Sequence, residues 1–241
     1  KKDVSCHYFW SDKKKFRAYA DRKLFIEEIN SVFNEPLKKV EEYIKRAKNK
    51  YDLTHSLFLE NSLHKLKTYL SYDTLNALIK LNSLDLFKTL HKVNEETFSS
   101  SQLIQLFDRF ATYNGSDPYQ TSGIMTLIQH LEGHYGTFVP TKGMVSISKA
   151  LHDLATSIGV KFHFNSLVKE IKLDQNKAEG VIVNSEYHQA DIVISNMDIY
   201  PTYKKLLKNI KAPSKTLNQE RSSSAIIFYW GIEKSFSELE L

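Results

Sequence analysis

The sequence predicts a mixed α/β (α+β) chain in which a long helical block is set between strand-bearing segments. Three observations carry this. Residues 4–19 alternate in the manner of a strand pair. From Asp21 to about Leu131 the apolar residues recur at helical spacing with almost no strand pattern. Beyond Gly143 one helical stripe gives way to short alternating runs.

The opening predicts a hairpin. Val4, Cys6, Tyr8 and Trp10 alternate with Ser5, His7 and Phe9, Ser11–Lys14 supplies the turn, and Phe16–Tyr19 returns. Asp21 suits a helix N-cap, with Leu24, Ile29, Val32 and Phe33 on one side and Asn34-Glu35-Pro36 as the break. A second helix follows, with Val40, Tyr43, Ile44, Ala47 and Tyr51 as its stripe. Helical pattern continues through Leu63–Tyr69, Thr74–Ile79, Leu84–Val93 and Gln102–Thr112. A turn at Asn114–Pro118 precedes a last helix of the block, Ser122 to His134.

Ile147, Ala150, Leu151, Leu154, Ala155 and Ile158 then form an amphipathic stripe, and Gly159 falls where a left-handed cap belongs. Strands are expected at 160–164, 168–173 and 179–183. Another is expected at 190–195, an almost continuous apolar run of the kind buried on both faces of a sheet. Pro201 opens a short helix to Leu207, and Ala225–Trp230 is a final strand. Because a lone strand needs a partner, we expect it to pair with the opening hairpin, the chain leaving a sheet and returning to it.

Lysine and arginine number 33 against 28 acids, a net charge of +5. The lysines are interspersed with acids along helical faces, and no nucleic-acid-binding signature accompanies them, so no nucleic-acid partner is expected. No apolar run approaches the roughly 20 residues of a membrane span. The only cysteine, Cys6, excludes an intrachain disulfide and a cysteine metal cluster. The chain begins Lys1-Lys2-Asp3, without Met, and we expect an interior piece of a longer protein.

Residue chemistry alone nominates no catalytic group. His130 and His134 share a helix face but lack a third ligand and the glutamate of a zinc-protease helix, so surface or core histidines are the simpler account, and no metal is expected. Ser56, Ser195 and Ser222–Ser224 lack a nucleophile-elbow frame. Cys6 and His7 point to opposite faces of a strand. Neither a GxGxxG nor a P-loop is present, so the chain holds no phosphate cradle of its own.

One stretch carries a resemblance. Ile124–Glu132, then Gly136-Thr137-Phe138-Val139-Pro140 and Gly143-Met144, are similar to bacterial phytoene desaturases. In that family an Ile-x-His-Leu-Glu helix leads into an aromatic-Pro-x-x-Gly-Met loop. A helix ending in Gly159, a strand from Val160, Val168-Lys169-Glu170-Ile171, the block Ala190–Asn196 and the Tyr203–Leu207 helix follow in the family's order. Upstream, Asn114–Tyr119 resembles its Gly-x-x-Pro turn. The likeness is densest from Phe107 to Leu207. Each motif alone is unspecific, and order with spacing gives the combination its weight.

The resemblance implies an FAD-dependent oxidoreductase that desaturates a carotenoid, with the GxGxxG of a Rossmann-like domain outside this chain. It implies four segments: 1–19, a substrate-domain hairpin; 20–136, a helical substrate- and membrane-facing region; 137–200, a returning part of the FAD-binding domain; and 201–241, a return to the substrate-domain sheet. Lys142, Gly143 and Met144 would approach the isoalloxazine, Val168 would lie beside the adenine through its backbone, and Ser195 and Asn196 would lie near the cofactor. Thr141-Lys142 departs from the family's Arg-Gly or Gly-Gly, which puts close backbone approach there in doubt. A carotenoid needs an apolar tunnel, for which Tyr113, Phe138 and Tyr229 are the candidate walls. Val168 as a plain core strand residue, and these aromatics as core, are the bland alternatives. Its lipid-soluble substrate also implies a cytoplasmic protein peripheral to the membrane, with Leu57-Phe58-Leu59 at the interface. Isomerase or oxygenase chemistry of the same superfamily, or a non-catalytic helical interaction module, are the other readings.

Overall fold

The computed structural model describes residues 1–62, 64–70, 74, 79–207, 210–221 and 224–236. The chain forms two compact units, Lys1–Val139 with Ser222–Leu241, and Pro140–Arg221.

In the first unit, β1 (Val4–Phe9) and β2 (Lys15–Tyr19) pair antiparallel, Cys6 facing Ala18 and Tyr8 facing Phe16. Helix α1 (Arg22–Phe33) starts on Asp21, whose carboxylate accepts from the Leu24 amide at 2.9 Å, and stops at left-handed Asn34. Its buried residues are Ile26, Ile29 and Phe33. Leu24, expected on that face, is exposed, because it stands more than half a turn from Ile26. Helix α2 (Leu37–His55) buries the expected Val40, Tyr43, Ile44 and Ala47, and continues the stripe with Lys50 and Thr54.

The helix expected at 84–93 starts later. Asp85 is left-handed, φ 52°, and interrupts it. Helix α3 runs Leu90–Thr97 from a Thr89 cap. Helix α4 (Ser101–Asp108) starts on Ser100 and passes into a 3-10 turn, Arg109–Asn114, closed by left-handed Gly115. Ser122 caps a second 3-10 turn, Gly123–Thr126, which leads into α5 (Leu127–Tyr135). Leu66–Tyr69 is one helical turn, while Leu63 and most of the helix expected at 74–79 lie outside the described residues.

An aromatic cluster centres this unit. Tyr43 stands 4.6 Å from Phe107 and 4.9 Å from Phe98, ring centre to ring centre. Several of its buried polar groups are partnered in chains. The Tyr43 hydroxyl donates to Asn94 Oδ1 at 2.8 Å, Asn94 Nδ2 donates to Asp108 Oδ1 at 2.8 Å, and His91 Nδ1 donates to Asp108 Oδ2 at 2.7 Å. Lys50, 1% exposed, pairs with Asp85 at 2.6 Å and donates to Gly123 O and Thr126 Oγ1. Such pairing offsets the cost of burying its ammonium. Glu35 accepts from the amides of Ser99 and Ser100, tying the α1–α2 break to the start of α4. At Gly123 a Cβ would stand 2.6 Å from Val93 Cγ2, so only glycine admits that close approach.

In the second unit, α6 (Val145–Ser157) ends at left-handed Gly159 as the sequence predicts. A three-stranded meander follows: β3 (Val168–Asp174), β4 (Lys177–Val183) and β5 (Glu186–Gln189), in order β3-β4-β5. Both turns are two-residue, with positive φ at Gln175-Asn176 and at Asn184-Ser185, the geometry that matches strand twist. The sequence reading missed β5, whose residues are polar and exposed. At Gly180 a Cβ would lie 2.2 Å from His188 O across the ladder. The turn Ile199–Pro201 and the wider helical turn Thr202–Leu206, which packs against β3, open near Pro201 as predicted. A further turn, Ser214–Leu217, was not foreseen.

Three expected strands are corrected. Residues 160–164, 190–195 and 225–230 carry no strand pairing among the described residues, and the hairpin is a two-stranded sheet by itself. The 190–195 run is not buried on two faces, since Ile192 and Ile194 are largely exposed. An apolar alternating run becomes a strand only when a ladder partner lies alongside, and none is supplied here.

Candidate functional site

The turn Pro140–Gly143 is set by one hydrogen bond, Gly143 N–H to Pro140 O at 2.9 Å, and by φ +78° at Gly143. Positive φ falls on Gly143, and Thr141 and Lys142 are not among the residues with positive φ. Glycine at the two departing positions is therefore not required by the turn itself. Among the described residues, no atom beyond Gly143 and its two chain neighbours lies within 4 Å of where a Gly143 Cβ would stand. Met144 is exposed and directly precedes α6, and the Ser146 hydroxyl donates to Gly143 O at 2.7 Å.

Val168 opens β3, half-buried, opposite Val183. Ser195 and Asn196 are exposed. The Ser195 hydroxyl lies 2.9 Å from Thr202 Oγ1, in the helical turn that packs on β3. One element thus links the Val168 strand and the Ser195 end of the 190–195 run. Lys142, Gly143 and Met144 stand at the other end of α6 from Gly159.

A cleft of about 270 Å³ opens in the first unit between the hairpin, α1, α2 and α5. Phe25, Ile44, Phe110 and Ala18 form apolar wall, and Arg22, Lys48 and His134 contribute cationic or titratable groups. Gln129 and His130 line it and are buried. His130 stacks on His134 at 5.0 Å. Burial holds its imidazole below the ordinary value, and His134 acts in the same direction. Glu132, also lining the cleft, pairs with Arg109 at 3.0 Å and accepts from the Tyr113 hydroxyl. Arg109 in turn lies over the rings of Tyr8, Phe110 and Tyr113. Among the described residues no group of three His, Cys, Asp or Glu is placed to hold a metal ion.

Of the aromatics chosen as tunnel walls, Tyr113 adjoins the cleft through Glu132 and Phe110, which line it. Phe138 and Tyr229 are exposed, Tyr229 at 93%, and none of the three lines the cleft. The sequence reading missed Gln129. Its signal was the spacing of Thr126, Gln129, His130 and Gly133, a face of α5 without aliphatic residues.

Comparison with known proteins bears on what this arrangement serves. A family described as flavin containing amine oxidoreductase matches residues 2–226. The chain is 50% identical over 241 residues to a 1-hydroxycarotenoid 3,4-desaturase of Flavobacterium sp. (strain P99-3), covering 100% of this chain and 49% of that protein. It is 29% identical over 170 residues to a 4,4'-diapolycopene oxygenase of Methylomonas sp, covering 70% and 34%. It is 31% identical over 189 residues to a 4,4'-diaponeurosporene oxygenase of Staphylococcus aureus (strain bovine RF122 / ET3-1), covering 72% and 37%. The chain spans about half the length of the first of these, and less of the other two. A flavin is the cofactor class that goes with the matching family. With the family match running over nearly its whole length, the chain belongs to the flavin containing amine oxidoreductases.

Proposed function

We propose that this chain is part of an FAD-dependent enzyme that desaturates a carotenoid, with a hydroxylated carotenoid as the substrate class. The observation that carries the reading is the 50% identity over 241 residues, covering 100% of this chain, to a protein named for that reaction. The flavin, when bound, would supply the two-electron acceptor for a hydride whose loss, with a proton from the adjacent carbon, would leave a new double bond.

The residues of the second unit suit the edge of such a cofactor. Lys142 offers a cation beside an open turn, and Ser195 and Asn196 offer exposed polar groups, but no glycine-rich loop for a pyrophosphate is present. These residues would hold the flavin's periphery, and the phosphate cradle would come from the rest of a polypeptide about twice as long. That same polypeptide would cover the apolar face of α6 and pair with 160–164 and 190–195.

For the membrane, support comes from Leu70, Ile79 and Phe87, exposed at 80%, 84% and 90%. Exposed apolar side chains of this kind suit docking at the cytoplasmic surface of a bilayer, where the substrate dissolves. Among the described residues no helix is long and apolar enough to cross one. The side chains of Phe58 and Leu59 lie outside the described ones. Full-length protein should float with anionic liposomes, and failure to float would remove this part of the reading.

Oxygenase chemistry is the second reading, favoured by the two oxygenase relatives. Expression of the full-length gene in a carotenoid-producing host separates the two by product mass. Desaturation removes a pair of hydrogens per double bond, whereas oxygenation adds oxygen. A product that gains oxygen without a new double bond would overturn the desaturase reading.

A further inference from the structure

We infer that the cleft of the first unit receives the hydroxyl-bearing end of the substrate, and that Gln129 recognises that hydroxyl. The inference rests on the desaturase reading and adds the atom that selects the substrate.

Gln129 is 5% exposed, lines the cleft, and has a side-chain oxygen with no hydrogen-bond partner among the described residues. An acceptor buried in this way costs free energy until something donates to it. Elsewhere in this unit the buried Tyr43, Asn94 and Asp108 bond one another, and Lys50 has three partners. Among the described residues the other such atom is Arg109 Nε, a donor on a residue that does not line the cleft, so Gln129 Oε1 is the unmet acceptor of the cleft.

The surroundings choose the class of ligand. The walls around Phe25, Ile44 and Phe110 are apolar and suit a hydrocarbon. A volume of about 270 Å³ is below the ~300–1,000 Å³ of pockets that enclose a whole small ligand, so the cleft takes one end of a long molecule. A hydroxyl donates to Gln129 Oε1 and accepts from its Nε2, which satisfies either orientation of the amide. A carboxylate or phosphate supplies no donor to the oxygen. Gly133, one turn along α5, leaves the approach open: a Cβ there would already stand 3.4 Å from Gln129 Nε2.

The test uses full-length, flavin-loaded protein and two carotenoids that differ only by the terminal hydroxyl. Wild-type enzyme should prefer the hydroxylated one. Gln129→Met, which keeps the volume and removes the hydrogen bond, should lower the ratio of kcat/KM for hydroxylated over hydroxyl-free substrate about 10- to 100-fold. An unchanged ratio in an active variant overturns the role of Gln129. If Gln129→Met does not retain flavin, Gly133→Leu serves instead: filling the cleft should raise KM for the hydroxylated substrate at least about 10-fold, and an unchanged KM overturns the cleft assignment. Wild-type protein that desaturates neither carotenoid overturns the desaturase reading and this inference together. Wild-type turnover without preference overturns the inference alone, leaving a bound water as the partner of Gln129.

Discussion

The two units treat their apolar residues in opposite ways. In Lys1–Val139 the stripes of α1, α2 and α4 all end inside one core, with Ile29, Val40, Leu103 and Phe107 fully buried. In Pro140–Arg221 the stripe of α6 is as regular, yet no residue of that helix is buried, and Leu151 and Leu154 are more than half exposed. Among the described residues the buried large apolar side chains of that unit are Ile171 and Leu217. Amphipathic spacing announces that a face is to be covered, and it does not say by what.

The comparison breaks most sharply through a pair of truncations. Phe107→Ala should destabilise the 241-residue chain by about 3–5 kcal/mol, whereas Leu151→Ala should change it by less than about 0.5 kcal/mol. In the full-length protein Leu151→Ala should rise to about 2–5 kcal/mol. Urea unfolding of both lengths checks this. A large Leu151→Ala effect in the short chain would mean that the second unit buries its own stripe.

A smaller effect tests the one well-paired part of the second unit. Gly180→Ala forces a side chain against the His188 carbonyl, and we expect a loss of about 1–3 kcal/mol. Faster amide exchange should be confined to Val181–Gln189. Exchange that speeds up equally at Leu103 and Phe107 would show the two units unfolding as one.

The smallest effect is pH dependence, and it belongs to the first unit. Burial lowers the His130 pKa in the folded state, so the unfolded chain takes up a proton first, and stability falls as pH drops below about 6.5. Glu35 gives a second step. Burial alone would raise its pKa, but the amides of Ser100 and Ser99 and the Lys39 ammonium outweigh it and hold the carboxyl below 4.5. Its contribution is present above that pH and is lost as pH falls through the lowered value. Thermal melts should show both steps. His130→Gln should abolish the first and Glu35→Gln the second, while an unchanged profile in either variant would contradict its assignment.

What the sequence made legible was local. The Asp21 cap, the Asn34 break, the Gly115 turn and the Gly159 cap each depend on a few neighbouring residues, and the structure has all of them. Hairpin pairing at 4–19 and 168–183 was legible, but longer-range pairing was not: 160–164, 190–195 and 225–230 have strand-like patterns, but a ladder depends on what lies alongside. In the candidate site, the motif order named the turn at Gly143, and the structure has that turn. Buried polar residues escaped. Lys50 sits on the stripe of Val40, Tyr43 and Ala47, so spacing alone would have found it had charge not argued for the surface. Gln129 escaped for another reason: its face of α5 carries no aliphatic residues and so reads as surface.

Amide exchange across residues 190–195, compared between the 241-residue chain and the flavin-loaded full-length protein, tests the central claim most directly. The account predicts fast exchange in the short chain and protection of at least about 100-fold in the full protein, as this run gains strand partners beside the cofactor. Equally fast exchange in both would contradict it.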